Sequence, residues 1–76
     1  MQWSDGQVKV RLHEGAGGTY LWVVNPTRTV KTVKITLPAA YERAVELWQE
    51  AGSVSVSGNI LTTTVEDRDA AVIRLE

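Results

Sequence analysis

The chain holds a single histidine, His13, within QVKVRLHE, residues 7–14. There Gln7, Lys9, Arg11 and His13 alternate with Val8, Val10 and Leu12, the period-two pattern of a strand with one face in a core and one in water. His13 falls on the water side. Nucleophilic catalysis needs a base beside its nucleophile, yet there is no cysteine and no elbow motif around any serine. One imidazole with scattered carboxylates also falls short of the roughly three or four ligands of a zinc site. Glu66, Asp67 and Asp69 form a carboxylate cluster that could be read as a calcium site or an acid/base pair. A pair acting on a glycosidic bond needs a cleft about 5 to 10 Å across with one member desolvated, so solvated turn residues are the better reading. GAGG, residues 15–18, lacks the strand-to-helix setting of a phosphate loop, and NPT, residues 25–27, is barred from glycosylation by its central proline. No catalytic residue, metal ligand or cofactor site is expected.

The aromatic residues are the remaining candidates. Trp3, Tyr20, Trp22, Tyr41 and Trp48 could offer flat faces to sugar rings, with Trp22 and Trp48 as the stacking pair. The commoner use of such residues is to fill core edges or to dock onto a neighbouring domain. In TYLWVV, residues 19–24, Leu21 and Val23 supply one face, while Tyr20, Trp22 and Val24 fall on the other. That strand has no water side, and its second face is the candidate docking surface.

A chain of 76 residues makes one domain, and one this short buries only about 60% of the surface its unfolded form exposes. With 22% charged residues and a net charge of -1, there is no field to attract nucleic acid or an anionic membrane. The lack of cysteine removes disulfides, so stability must come from packing or from a partner. MQWSDGQVKV, residues 1–10, has no basic region followed by a signal-length apolar stretch. No segment approaches the roughly 20 apolar residues of a membrane span, so a soluble chain is expected, its compartment unspecified.

The elements that must position these residues are mostly strands. After the alternating run at residues 7–14 and the GAGG turn, the apolar run 19–24 stops at Asn25-Pro26, since proline cannot donate to a ladder. Val33, Ile35 and Leu37 alternate with Thr32, Lys34 and Thr36 up to Pro38. Residues 39–52 are ambiguous. Tyr41, Ala44, Val45, Trp48 and Ala51 fall at helical spacing, but a short strand with Val45 and Leu47 inward and Glu46 and Trp48 outward is preferred in an otherwise all-β chain. SVSVSGNILTTTV reads as a hairpin turning at Gly58-Asn59, which sets Ser57 opposite Ile60, Val56 opposite Leu61 and Val54 opposite Thr63. EDRD makes a charged turn, and Ala71, Ile73 and Leu75 lie opposite Val72 and Arg74 in the final run. The expected fold is all-β: a single domain over residues 1–76, a small antiparallel β-sandwich of about seven strands with Greek-key connections, residues 1–6 being peripheral.

GGTYLWVVNPTRTVKTVKITLP, then AVELWQ, a Ser/Val-rich hairpin and DRDAAVIRLE resemble the small C-terminal β-sandwich domain of glycoside hydrolases, especially barrel enzymes of the β-galactosidase type. The matching residues are Leu21 to Pro26, Val33 to Leu37, Glu46 to Trp48 and Asp69 to Leu75. These motifs specify a strand plan. The resemblance implies a non-catalytic accessory domain, the family's catalytic glutamates lying in a barrel that this sequence lacks. Its partner would be the catalytic domain of the parent chain, or a second copy through self-association. The alternative is a carbohydrate-binding module whose ligand is an oligosaccharide, and a third reading is an adhesion or assembly domain of immunoglobulin-like shape.

Overall fold

A computed structural model describes residues 1–47 and 53–76. Eight strands follow in chain order: β1 (Gln2–Trp3), β2 (Lys9–Gly15), β3 (Gly18–Asn25), β4 (Lys31–Thr36), β5 (Ala44–Glu46), β6 (Ser53–Ser57), β7 (Ile60–Val65) and β8 (Asp69–Leu75). They form two four-stranded sheets, ordered β1-β4-β7-β6 and β2-β3-β8-β5, with every pairing antiparallel. The β-sandwich is thus the fold. Only β2–β3 and β6–β7 are hairpins within one sheet, and every other connection crosses between sheets, so the central pairs β3–β8 and β4–β7 join strands far apart in sequence.

The alternation of apolar residues puts these central pairs face to face. Leu21, Val23, Ala71, Ile73 and Leu75 from one sheet meet Val33, Ile35, Leu61 and Val65 from the other, all of them buried, with Val8 and Leu37 completing the cluster. The hairpin of β6 and β7 has the register its turn dictates: Ser57 opposite Ile60, Val56 opposite Leu61, Val54 opposite Thr63. Gly58 occupies φ 60°, the left-handed conformation that a first turn residue needs when two strands reverse over two residues.

Two local readings change. Residues 1–6 are not peripheral. Gln2 and Trp3 pair with Thr36 and Ile35, Trp3 packs against the core, and its indole Nε1 donates to Val8 O at 2.8 Å. Asp5 then turns the chain from one sheet to the other: Gln7 N donates to its Oδ1 at 2.9 Å, Val8 N to its carbonyl at 3.2 Å, and Lys31 Nζ lies 3.3 Å from Oδ2. Polar composition hid this strand, because a two-residue strand carries no period. The second change is at β5. A strand forms there, but Ala44 pairs with Leu75 and Val45 with Arg74. Residues directly opposite share a face, so Ala44 joins the core and Val45 points out with the exposed Arg74; Leu47 is 49% exposed rather than inward. Glu46, expected outward, lies opposite buried Ile73; a three-residue strand whose apolar Ala44 and Val45 are adjacent is too short to show its phase by alternation. Trp48, Ala51 and the rest of residues 48–52 lie outside the described residues.

The strand phase of β3 also brings a polar residue inside. Asn25 continues the inward series Leu21, Val23 and is fully buried. Its Nδ2 donates to Thr29 O at 2.8 Å, Val65 O at 3.1 Å and Glu66 O at 3.1 Å. Its Oδ1 accepts from Thr27 N at 3.0 Å and from Thr27 Oγ1 at 2.6 Å. One primary amide therefore ties the end of β3, the β3–β4 connection and the end of β7 together.

Replacing this amide takes the side-chain donor from the buried Val65 carbonyl and from that of Glu66, and leaves Thr29 O only the Thr27 hydroxyl. Asn25→Ala is expected to destabilise the domain by about 3 kcal/mol, and Asn25→Asp, which turns an acceptor toward the same carbonyls, by at least as much; urea denaturation measures both. A second expectation concerns acid. The Gln7 amide, with smaller help from Lys31, holds the Asp5 carboxyl below the ordinary aspartate range against a desolvation that acts the other way. A lowered folded-state pKa contributes stability above the unfolded value and loses it as pH falls through the folded one. Thermal melts below about pH 4 should therefore fall more steeply for the wild type than for Asp5→Asn.

Candidate functional site

The core takes one face of each sheet, so the outward face of β2-β3-β8-β5 is the place where surplus apolar residues can gather. The strand registers arrange it in rungs. Lys9 lies opposite Val24, and Val24 opposite Ala70. Arg11, Trp22 and Val72 form the next rung, and His13, Tyr20, Arg74 and Val45 the third. Beside the middle rung, Leu47 N donates to Val72 O at 2.8 Å, which extends the face past β5. Read by strand, β2 presents a column of basic side chains and β3 an aromatic and aliphatic one. Next come Ala70, Val72 and Arg74 on β8, and Val45 and Leu47 at the far side.

Trp22 and Val24 are each 39% exposed, whereas their chain neighbours Leu21 and Val23 are fully buried. Val72 points to the same side as Trp22, with no second sheet above it, and is nevertheless only 4% exposed. Cross-strand neighbours stand about 5 Å apart at Cβ, and on this face Val72 lies between Trp22 of β3 and Leu47 beyond β5. Trp22 thus already forms part of a small apolar cluster on the outer face. Sequence reasoning missed Val72, Val45 and Leu47 as members of this face; the signal for Val72 was present in the unbroken run Ala70–Ile73, apolar on both phases.

Tyr20 belongs to this face by register, but it is half-buried and its hydroxyl donates back to Gly17 O at 3.4 Å in its own hairpin turn. Gly18 beside it has φ 132°, a conformation that side-chain-bearing residues rarely adopt. Trp22 and Val24 are accordingly the protruding members of the candidate docking face. Of the stacking pair, Trp22 is in place and Trp48 lies outside the described residues.

An open groove of about 890 Å³ runs beside this face, lined by Trp3, Lys9, Val10, Arg11, His13, Trp22 and Val24. The carboxylates singled out in the sequence stand elsewhere. Glu66, Asp67 and Asp69 are exposed around the β7–β8 turn, where Asp69 Oδ1 accepts from Ala70 N at 2.8 Å. Arg68 in that turn has φ 50° and donates its N–H to Thr27 O at 2.9 Å. Among the described residues, no three histidine, aspartate or glutamate side chains come together as a metal site would require, and no helix is long and apolar enough to cross a membrane. No family model, curated protein or solved structure matches the chain.

The geometry separates Trp22 from the core beneath it. Leu21→Ala should cost about 3 kcal/mol, as a buried leucine truncation does, while Trp22→Ser should cost about 1 kcal/mol because the indole is 39% exposed on the outer face and leaves the core packing intact. Paired thermal melts check the order, and a Trp22→Ser loss equal to that of Leu21→Ala would place the indole in the core.

Proposed function

We propose that this chain is a non-catalytic accessory β-sandwich domain of a glycoside hydrolase, docking onto the catalytic barrel through the outer face of β3. The observation that carries this reading is the alternation along β3. Fully buried Leu21 and Val23 are interleaved with Trp22 and Val24 at 39% exposure, above an already covered Val72. A small domain without disulfides has little reason to spend a tryptophan on solvent, and clustered exposed apolar residues mark an interaction surface. The strand plan supports the family likeness. Of its four matching elements, Leu21 to Pro26, Val33 to Leu37 and Asp69 to Leu75 are β3, β4 and β8 with their flanking residues, while Glu46 to Trp48 starts at the end of β5 and runs beyond the described residues.

The face is modest in size. With strands about 4.8 Å apart and same-face residues about 7 Å apart along each strand, three rungs across four strands cover roughly 400 Å² on this side of the contact. Interfaces between domains of one chain bury about 600 to 1,500 Å² counting both sides, so a partner that matches this face reaches the lower part of that range.

Titration into a β-galactosidase-type barrel stripped of its own small C-terminal domain tests the reading. The wild-type chain is expected to bind and to raise the barrel's melting temperature, Trp22→Ser to do neither, and the chain alone to hydrolyse no aryl glycoside. Absence of any complex, together with quenching of tryptophan fluorescence by β-linked oligosaccharides that Trp22→Ser abolishes, would favour the carbohydrate-binding module instead.

A further inference from the structure

β2 is the outermost strand of its sheet, and among the described residues no backbone hydrogen bond reaches its free side between Lys9 and Gly15. The neighbouring edge is treated differently. β4 is covered by Gln2 and Trp3, then by Ser4, whose N donates to Lys34 O at 3.0 Å and whose Oγ accepts from Lys34 N at 3.0 Å, and then by the Asp5–Lys31 ion pair. At the opposite flank, β5 and β6 lie against one another. β2 is thus a seven-residue edge carrying neither proline nor covering segment. Exposed edges of this length template the addition of another strand unless something discourages it.

What guards β2 is charge, and the charge is selective. Lys9, Arg11 and His13 lie on one face, and among the described residues the ion pairs are Lys31–Asp5, Arg43–Glu76 and Arg74–Glu76, none of which uses them. An incoming antiparallel strand places its own same-face side chains directly opposite these residues. A second copy of β2, keeping its polar face on the polar side, sets Lys9 against His13 and Arg11 against Arg11 in the central register, and Arg11 against Lys9 or His13 in the registers two residues to either side. The edge therefore rejects its own copy and accepts a strand that carries carboxylates at alternate positions.

The groove fits the same occupant. Val10 points inward while Lys9, Arg11 and His13 point outward, so a groove lined by all four wraps around the free edge of the strand. Its walls are apolar at both sides, Trp3 with Val10 on the inner side and Trp22 with Val24 on the outer. We infer that β2 is a strand-addition site for an extended acidic segment of a partner protein, whose alternate carboxylates face Lys9 and Arg11 and whose intervening apolar side chains enter between Trp3 and Val10. This goes beyond the accessory-domain reading, since the edge would take the same segment in a domain of any other role.

The probe is a capped seven-residue peptide with glutamate at alternate positions and valine between them, compared with its lysine-for-glutamate counterpart. Backbone amide exchange of the full chain is followed by NMR. The glutamate peptide is expected to slow exchange of the outward-facing β2 amides at least tenfold, while the lysine peptide leaves them unchanged. The exposed double variant Lys9→Glu/Arg11→Glu, folded by its unchanged melt, should reverse that preference. Equal binding of both peptides, or binding that shifts Trp22 resonances without protecting β2, would overturn the inference. So would an anionic oligosaccharide that fills the groove with no change in β2 exchange while the glutamate peptide fails to bind.

Discussion

The buried amide of Asn25 is the constraint from which the rest of the domain follows. Asn25 sits in phase with Leu21 and Val23, so the alternation that makes a core also drives a polar group into it. That is tolerable only because three carbonyls, of Thr29, Val65 and Glu66, converge on Nδ2 while Thr27 supplies both donors for Oδ1. The two ends of the amide are not interchangeable, since one side meets acceptors and the other donors. A slip of β3 by one residue would turn Asn25 outward, strand those carbonyls, and exchange Leu21 and Val23 for Trp22 and Val24 in the core. Holding the phase of β3 therefore also holds Trp22 outside. The exposed tryptophan is a consequence of the buried asparagine.

The amide closes one end of the sandwich, and the N-terminal segment closes one side. Trp3 Nε1 reaches Val8 O, and Asp5 gathers the Gln7 amide and the Lys31 ammonium, so the passage from β1 to β2 is fixed between the two sheets. A chain of 76 residues without cysteine has no covalent staple for this purpose. It uses side-chain-to-backbone hydrogen bonds at the crossovers, where backbone groups leave the ladders and need other partners. The crossovers between β3 and β4 and between β7 and β8 are joined to each other, with Arg68 N donating to Thr27 O.

Much of this fold was legible in the sequence because its strands alternate. The inward residues of β3, β4, β7 and β8, the Gly58-Asn59 turn and the register that follows from it could all be read from period two and turn chemistry. What escaped reading had no period of its own. β1 is two residues long and is recognisable only through its partners, Thr36 and Ile35. β5 is three residues long, and its phase is set by Leu75 and Arg74 across the ladder rather than by Val45 and Leu47 within it. The candidate face was legible to the same extent. Tyr20, Trp22 and Val24 could be placed together on β3, but their neighbours Val72, Val45 and Leu47 come from strands that only the sheet order brings alongside. Asn25 read as the start of a turn, and its role as a buried tie depends on Val65 and Glu66, some 40 residues away.

The outer face of β2-β3-β8-β5 is sorted by strand, and that sorting limits what can cover it. Lys9, Arg11 and His13 form one margin, Val45 and Leu47 the other, with Trp22, Val24 and Val72 between. Two copies meeting face to face are related by a twofold axis lying in the interface. With the axis parallel to the strands, the basic margin of each copy meets the aliphatic margin of the other, and two charges are desolvated without partners. With the axis perpendicular to the strands, the basic margins meet each other. Neither arrangement gives Lys9 and Arg11 a carboxylate, and leaving charges buried and unpaired costs more than the apolar contact between them returns. An asymmetric partner escapes the dilemma, since it can present apolar side chains to Trp22 and Val24 and an acidic margin to β2. The same charges that stop β2 from pairing with its own copy thus turn the whole face toward a different molecule.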